Sequence, residues 1–171
     1  MPCFPKIMNT KKIEPGDFRI ACGFWTTGVS IVTTANLSGE PFGLTMNSVT
    51  SLSLEPAMFL VCVDLTSETL QPMLERSAFC INILTDQQKE LSNRFAEKGD
   101  NKFVSVDWEL IATKTPVIKN SFLSLECDIR SVYDGGDHKI VCGEVSTSHF
   151  NDDSSAKPLI YYKGKYAALS E

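Results

Sequence analysis

Four hydroxyls and one amide fall within seven residues of this chain, at Thr45, Asn47, Ser48, Thr50 and Ser51. Such a set can hold a flat ligand rich in acceptor atoms by short hydrogen bonds, and the backbone N–H groups of a strand add more. The five belong to the stretch Gly43-Leu44-Thr45-Met46-Asn47-Ser48-Val49-Thr50-Ser51-Leu52-Ser53-Leu54-Glu55-Pro56. Read as one extended chain, it puts Thr45, Asn47, Val49 and Ser51 on one face and Met46, Ser48 and Thr50 on the other. Neither face is fully apolar, so this strand does not simply plug a core. The plainer alternative is a half-exposed antiparallel strand, where Thr and Ser are common.

Other chemistries find less support. No GxGxxG follows a strand and no GxxxxGK occurs, so neither phosphate-cradling loop is present. No Ser or Cys has an obvious base beside it, although spacing alone does not exclude a triad. Only two histidines occur, His138 and His149, and the six cysteines (3, 22, 62, 80, 127 and 142) form no CxxC pair. No metal site is expected. The cysteines read as buried thiols of a reducing cytoplasm. A net charge of −5 argues against a general affinity for nucleic acid or for an anionic membrane. Any phosphate site must therefore be local. What remains is redox chemistry carried by a bound organic cofactor.

The elements that must position these residues are mostly strands. Residues 1–14 show no period and carry Pro2 and Pro5, so they read as a loose arm ahead of a single domain over 15–171. Pro15-Gly16-Asp17 starts a helix on which Phe18, Ala21, Cys22 and Trp25 recur at helical spacing. Residues 29–34 form a strand that turns at 36–41 into the polar stretch, making a hairpin. Met58 to Val63 is apolar on both faces and reads as a central, buried strand. Residues 67–74 suggest one short or distorted helical turn around Pro72, with Leu70, Met73 and Leu74 inward. A strand follows at 79–84. Thr85-Asp86-Gln87-Gln88 has the spacing of a capping box, on a helix with Lys98 in its last turn and Gly99 at its end. Residues 122–133 alternate strictly, as in a half-buried antiparallel strand, and return after Gly135-Gly136 as 138–145. A last hairpin turns at Lys163-Gly164. Many antiparallel strands with few helices read as a small barrel.

The order GxTxNSxTSxSLxP, apolar strand, Cys62-Val63-Asp64, then Ser67 and Thr69 resembles the flavin reductase-like family. The resemblance continues at Phe95-Ala96, Asp100-Asn101-Lys102-Phe103, Gly136-Asp137-His138 and Tyr161-Tyr162-Lys163-Gly164-Lys165-Tyr166. It implies a mainly β fold, a split β-barrel with a few short flanking helices, as a homodimer. It implies hydride transfer from NADH or NADPH to FMN or FAD, with reduced flavin supplied to a partner monooxygenase. The alternatives are a tightly bound FMN protein passing electrons to another protein, and a flavin-binding module without nicotinamide turnover.

Carried over by position, the flavin would lie along Thr45, Met46, Asn47, Ser48 and Ser51. Backbone groups of Cys62, Val63 and Asp64 would line the ring's edge. Ser67, Thr69 and Lys102, with Phe103 next to it, would approach the phosphate. His138 would contact the nicotinamide nucleotide, with Tyr162 near the same pocket. Met46 stands where the family usually has a small residue. If it faces the ring, its bulk bears on which flavin tail fits.

Overall fold

Hairpins account for most of the molecule. The computed structural model describes residues 12–99, 102–153, 155–167 and 169. Most of the arm expected over 1–14 lies outside the described residues, as do Cys3, Asp100 and Asn101. Helix α1 (Pro15–Cys22) and the short strand β1 (Thr27–Gly28) lead into β2 (Ser30–Ala35), which pairs with β3 (Pro41–Met46). Their turn is shaped by Asn36, whose Oδ1 accepts from the Ser38 and Glu40 backbone N–H groups. Then come the hairpin β4 (Val49–Leu54) and β5 (Ala57–Asp64), helix α2 (Leu70–Arg76), β6 (Ala78–Ile83) and α3 (Lys89–Ala96). A small pair, β7 (Trp108–Leu110) and β8 (Pro116–Ile118), precedes the long hairpin of β9 (Leu123–Gly135) and β10 (His138–Phe150). The chain closes on β11 (Ile160–Tyr162) and β12 (Lys165–Ala167). Among the described residues no helix is long and apolar enough to cross a membrane.

Seven strands form one antiparallel sheet in the order β3-β2-β6-β9-β10-β5-β4. Its two edge strands, β3 and β4, are consecutive in the chain and joined only by Asn47 and Ser48. Six inter-strand steps of about 4.8 Å would hold the edges of a flat sheet about 29 Å apart. The three peptide units from Met46 to Val49 reach at most about 11 Å. The sheet therefore curls until its edges come together at this joint. Inside the curl lie Val32, Met46, Val61, Val63, Phe79, Ile81, Cys127 and Val141, with Leu70 and Met73 of α2. A second cluster, Val29, Ile31, Leu84, Phe95, Ile118 and Leu159, packs on the outer side of β2.

Several expectations need correction. The polar stretch is two strands on opposite sheet edges, so its face alternation breaks at Asn47-Ser48. Strand β5 is next to an edge, and only Val61 and Val63 in it are buried. An apolar run predicts a central strand only where both faces are covered. Helix α2 begins three residues later than expected, which places Pro72 in its first turn, where its missing N–H costs no bond. Helix α3 ends at Ala96, ahead of Lys98, and Gly99 takes a left-handed φ of 125° beyond it. Helix α1 buries none of its residues, and Cys22 is exposed while Cys80, Cys127 and Cys142 are buried. The polar face of β9 is not open to solvent either: Ser124 and Glu126 are buried beneath the segment that carries β7 and β8.

Candidate functional site

The joint between the sheet edges is where the candidate residues meet. Ser48 and Cys62 grip each other there: Cys62 N–H donates to the Ser48 carbonyl at 3.0 Å and Ser48 Oγ donates to the Cys62 carbonyl at 3.0 Å. The β4–β5 ladder ends at the pair Val49 and Val61. Cys62, Val63 and Asp64 therefore run on past the end of β4, with Ser48 beside the first of them. The Asn47 amide projects into solvent and makes no hydrogen bond among the described residues. Met46 points the other way, into the core, so its bulk packs against apolar side chains there.

A cleft of about 230 Å³ opens beside this joint. Thr45, Asp64, Ser67, Thr69 and Lys102 all line it, together with Leu44, Thr66, Glu68, the last two residues of α3 and Glu97 and Lys98 just after it. Helix α3 is pressed onto β3 at Gly43, where a Cβ would lie 2.9 Å from the Phe95 ring. Thr45 Oγ1 donates to the Ser92 carbonyl at 2.6 Å, which binds the helix to the strand. Lys102 Nζ donates to the carbonyls of Gly43 at 3.2 Å and Phe95 at 3.4 Å. It is thus a half-buried lysine rather than a freely solvated one. Burial pulls its ammonium below the usual lysine range, and the nearby Glu68 carboxylate opposes that shift.

Free donors decide what this cleft can hold. Ser67 Oγ accepts from Thr69 N–H at 3.3 Å, so its own proton is left to donate. Two of the three Lys102 N–H bonds go to carbonyls, which leaves one. Asp64, in contrast, is committed to its turn. Its Oδ1 accepts from Thr66 N–H and Thr66 Oγ1, each at 2.7 Å, and these two bonds hold its carboxyl below the usual range, with His138 and Lys98 adding to the effect. A small anionic group such as a phosphate ester suits the Ser67 hydroxyl and the Lys102 ammonium, with Lys98 beside them. The carboxylates of Asp64, Glu68 and Glu97 in the same cleft confine it to that spot.

The ladder of β10 on β5 places His138 directly opposite Asp64. His138 Nδ1 lies 2.7 Å from Asp137 Oδ1 and the ring is about one third exposed. The carboxylate accepts from Nδ1, and Nε2 is left without a hydrogen-bond partner among the described residues. Three candidates lie outside this cleft, although one of them, Phe103, lines a small hollow next to it with Thr69 and Lys102. Ser51 is exposed on β4 and borders neither this cleft nor the larger one beyond Asn47. Phe103 stacks edge-on with Phe95 and Trp108, at centroid distances of 4.9 and 5.6 Å, as part of an aromatic cluster. Tyr162 is exposed on β11 with Lys163 Nζ 5.3 Å from its ring. Its neighbour Tyr161, and not Tyr162, lines the cleft that Asn47 faces.

The sequence reading overlooked Thr66 and Glu68, and also Arg19, Phe24 and Lys163 near Asn47. Thr66 was visible as the residue two after an Asp, the spacing of an Asx turn. Glu68 lies between two expected site residues, Ser67 and Thr69, and carried no signal of its own, while Arg19, Phe24 and Lys163 come from elements distant in sequence.

Residues 23–170 match the model of the flavin reductase like domain. The flavin-dependent monooxygenase reductase subunit HsaB of Mycobacterium tuberculosis (strain CDC 1551 / Oshkosh) is 35% identical over 158 residues, 92% of this chain and 84% of that protein. A flavin reductase (NADH) of Kitasatospora aureofaciens is 35% identical over 157 residues, 91% of this chain and 82% of that protein. Among solved structures, the NADH:FAD oxidoreductase SgcE6 of Streptomyces globisporus C-1027, in complex with NAD and FAD fragments, superposes with a TM-score of 0.85 at 31% identity. That superposition covers 94% of this chain and 98% of SgcE6. With a domain match running from Gly23 to Ser170 over a curled sheet of the same shape, the chain belongs to the flavin reductase-like family.

Proposed function

We infer that this protein is an NAD(P)H:flavin oxidoreductase, the reductase component that supplies reduced flavin to a partner monooxygenase. The observation that carries this reading is the gathering of Thr45, Asp64, Ser67, Thr69 and Lys102 around one cleft beside the Asn47-Ser48 joint. The flavin, FMN or FAD, supplies the chemistry of accepting a hydride from NADH or NADPH. The chain's share is to bind, orient and shield. Ser67 and Lys102 would hold the flavin phosphate through the donors left free in them. The Asn47 amide and the edge of β5 beyond Cys62, whose own N–H and carbonyl are taken by Ser48, would offer hydrogen bonds to the ring. Donors there favour a ring that gains negative charge on reduction. His138, held by Asp137 through Nδ1, would position the nicotinamide nucleotide.

We take the curled sheet to be the split barrel of this family, residues 15–171 to be one domain, and the working form to be a homodimer. The sheet order and the two-residue joint support the first. The β1–β11 ladder, which ties Thr27 to Tyr161, supports the second. A steady-state assay tests the function directly: NADH and NADPH, each with FMN, FAD and riboflavin. Flavin-dependent oxidation of at least one nucleotide is expected, with flavin bleaching under anaerobic conditions. No bleaching with either nucleotide would leave only a flavin-binding role.

A further inference from the structure

Tyr166 closes the Tyr161-Tyr162-Lys163-Gly164-Lys165-Tyr166 stretch, and its hydroxyl reaches from β12 across to α3. There it meets Ser92 Oγ at 2.9 Å and Asn93 Oδ1 at 3.0 Å. A phenol has one proton, and here it goes to Asn93 Oδ1. The Ser92 hydroxyl is therefore the donor in the other bond. The two bonds run in one direction, from Ser92 through Tyr166 to Asn93. Ser92 is fully buried, so its proton has no water to turn to if Tyr166 is lost.

Both sides of this contact are anchored. The last hairpin is held by the β1–β11 ladder and by Lys163 N–H, which donates to the Gly23 carbonyl at 2.7 Å. The Tyr166 ring packs edge-on against Tyr161 at a centroid distance of 5.6 Å. Lys89 Nζ, from the first residue of α3, lies 5.6 Å from the same ring. On the helix side, the Ser92 carbonyl accepts the Thr45 hydroxyl at 2.6 Å. Phe95 lies three residues on, about 4.5 Å further along the helix axis. Its carbonyl accepts from Lys102 Nζ at 3.4 Å, and Glu97 and Lys98 just beyond it line the cleft. A shift of the helix at Ser92 is thus passed to the seat of Lys102. We propose that Tyr166 is a positioning residue for this cleft: its hydroxyl latches α3 to the last hairpin and so sets where Lys102 stands to meet a flavin phosphate. This rests on the flavin reading of the cleft. It goes beyond that reading by giving control of the phosphate seat to a hairpin that does not border the cleft.

Tyr166→Phe removes the hydroxyl and keeps the ring on Tyr161 and Lys89, so the variant should fold. Ser92→Ala breaks the same chain at its other end. Fluorescence titration with FMN and with riboflavin, which lacks the phosphate, reads the effect. Each variant should weaken FMN about fivefold and leave riboflavin unchanged. Lys102→Met should also reduce the preference for FMN, and Tyr166→Phe should add nothing on top of it. A second readout needs no flavin. Burial holds the Lys102 ammonium below the usual lysine range, so a loosened seat should raise its pKa in an NMR titration of the lysine side chains. Equal losses for FMN and riboflavin would show a general loosening of the fold and overturn the proposal. So would unchanged FMN affinity in both variants, a loss additive with that of Lys102→Met, or an unmoved Lys102 titration. Wild-type protein that binds no FMN, with the Lys102 shift still seen in Tyr166→Phe, would instead overturn the flavin reading and leave the latch standing.

Discussion

At the residue scale, the site divides into side chains that hold the fold and side chains left free to bind. Thr45 and Ser48 hold the fold, since their hydroxyls are already donated to Ser92 and Cys62. Among the described residues neither the Asn47 nor the Ser51 side chain makes a hydrogen bond. Asn47→Ala should weaken flavin binding by about 1–3 kcal/mol if it leaves a buried flavin atom unpaired. Ser51→Ala, exposed on β4 away from both clefts, should do so only if the bound flavin reaches that far. Fluorescence titration of FMN and FAD measures both, and unchanged affinity in the pair would put the ligand on another strand. His138→Ala should spare flavin affinity and lower kcat/KM for the nucleotide about tenfold, or about 1.4 kcal/mol. Equal losses in both quantities would remove His138 from the nucleotide site. Far from the clefts, Glu126 is buried with its carboxylate accepting from Thr113 N–H and Oγ1, each at 2.7 Å, from Ala112 N–H at 3.3 Å and from His149 Nε2 at 2.8 Å. Burial pushes its pKa up, but these bonds outweigh burial and leave it below the usual range. A depressed folded pKa stabilises the protein above the unfolded value of about 4.3 and stops doing so as pH falls through the folded value. Urea unfolding from pH 6 down to pH 3 should therefore show a steeper loss in wild type than in Glu126→Gln.

At the scale of elements, hairpins were legible in the sequence and their places in the sheet were not. Asn36-Leu37-Ser38-Gly39, Gly135-Gly136 and Lys163-Gly164 are turn chemistry, and each turn is found where it was expected. The Thr85–Gln88 capping box formed too. The break at Asn47-Ser48 was hidden because Asn and Ser suit a strand as well as a joint. Whether β5 lay at the centre or near an edge depended on β10, which is distant in sequence. Glu126 looked solvent-facing by alternation, and only the overlying β7–β8 segment buries it. Close packing adds its own constraint. A Cβ on Gly143 would lie 2.7 Å from the Phe79 ring and 2.8 Å from Cys127 Cβ, where β10 crosses β9. Gly143→Ala should cost about 1–3 kcal/mol in chemical denaturation through this overpacking.

At the scale of the whole molecule, β4 is an edge strand without a charged residue, and its Leu52 and Leu54 are exposed, Leu54 at 95%. Such edges invite pairing unless covered. We expect a two-fold dimer that covers this edge, and light scattering should report twice the 18.9 kDa of the chain at micromolar concentration. A monomer that still binds flavin would count against it. The joint at Asn47-Ser48 also bears on how the protein comes into being. The hairpins on either side of it, β2 with β3 and β4 with β5, are local and can form early. Nothing holds those two hairpins in register until β10 arrives to pair with β5, some eighty residues later on the ribosome. The cleft beside the joint should thus be completed only when residues 138–144 are available. In pulsed hydrogen exchange during refolding, amides of β2 and β3 should gain protection before those of Cys62 and Asp64, and added FMN should speed the late phase alone.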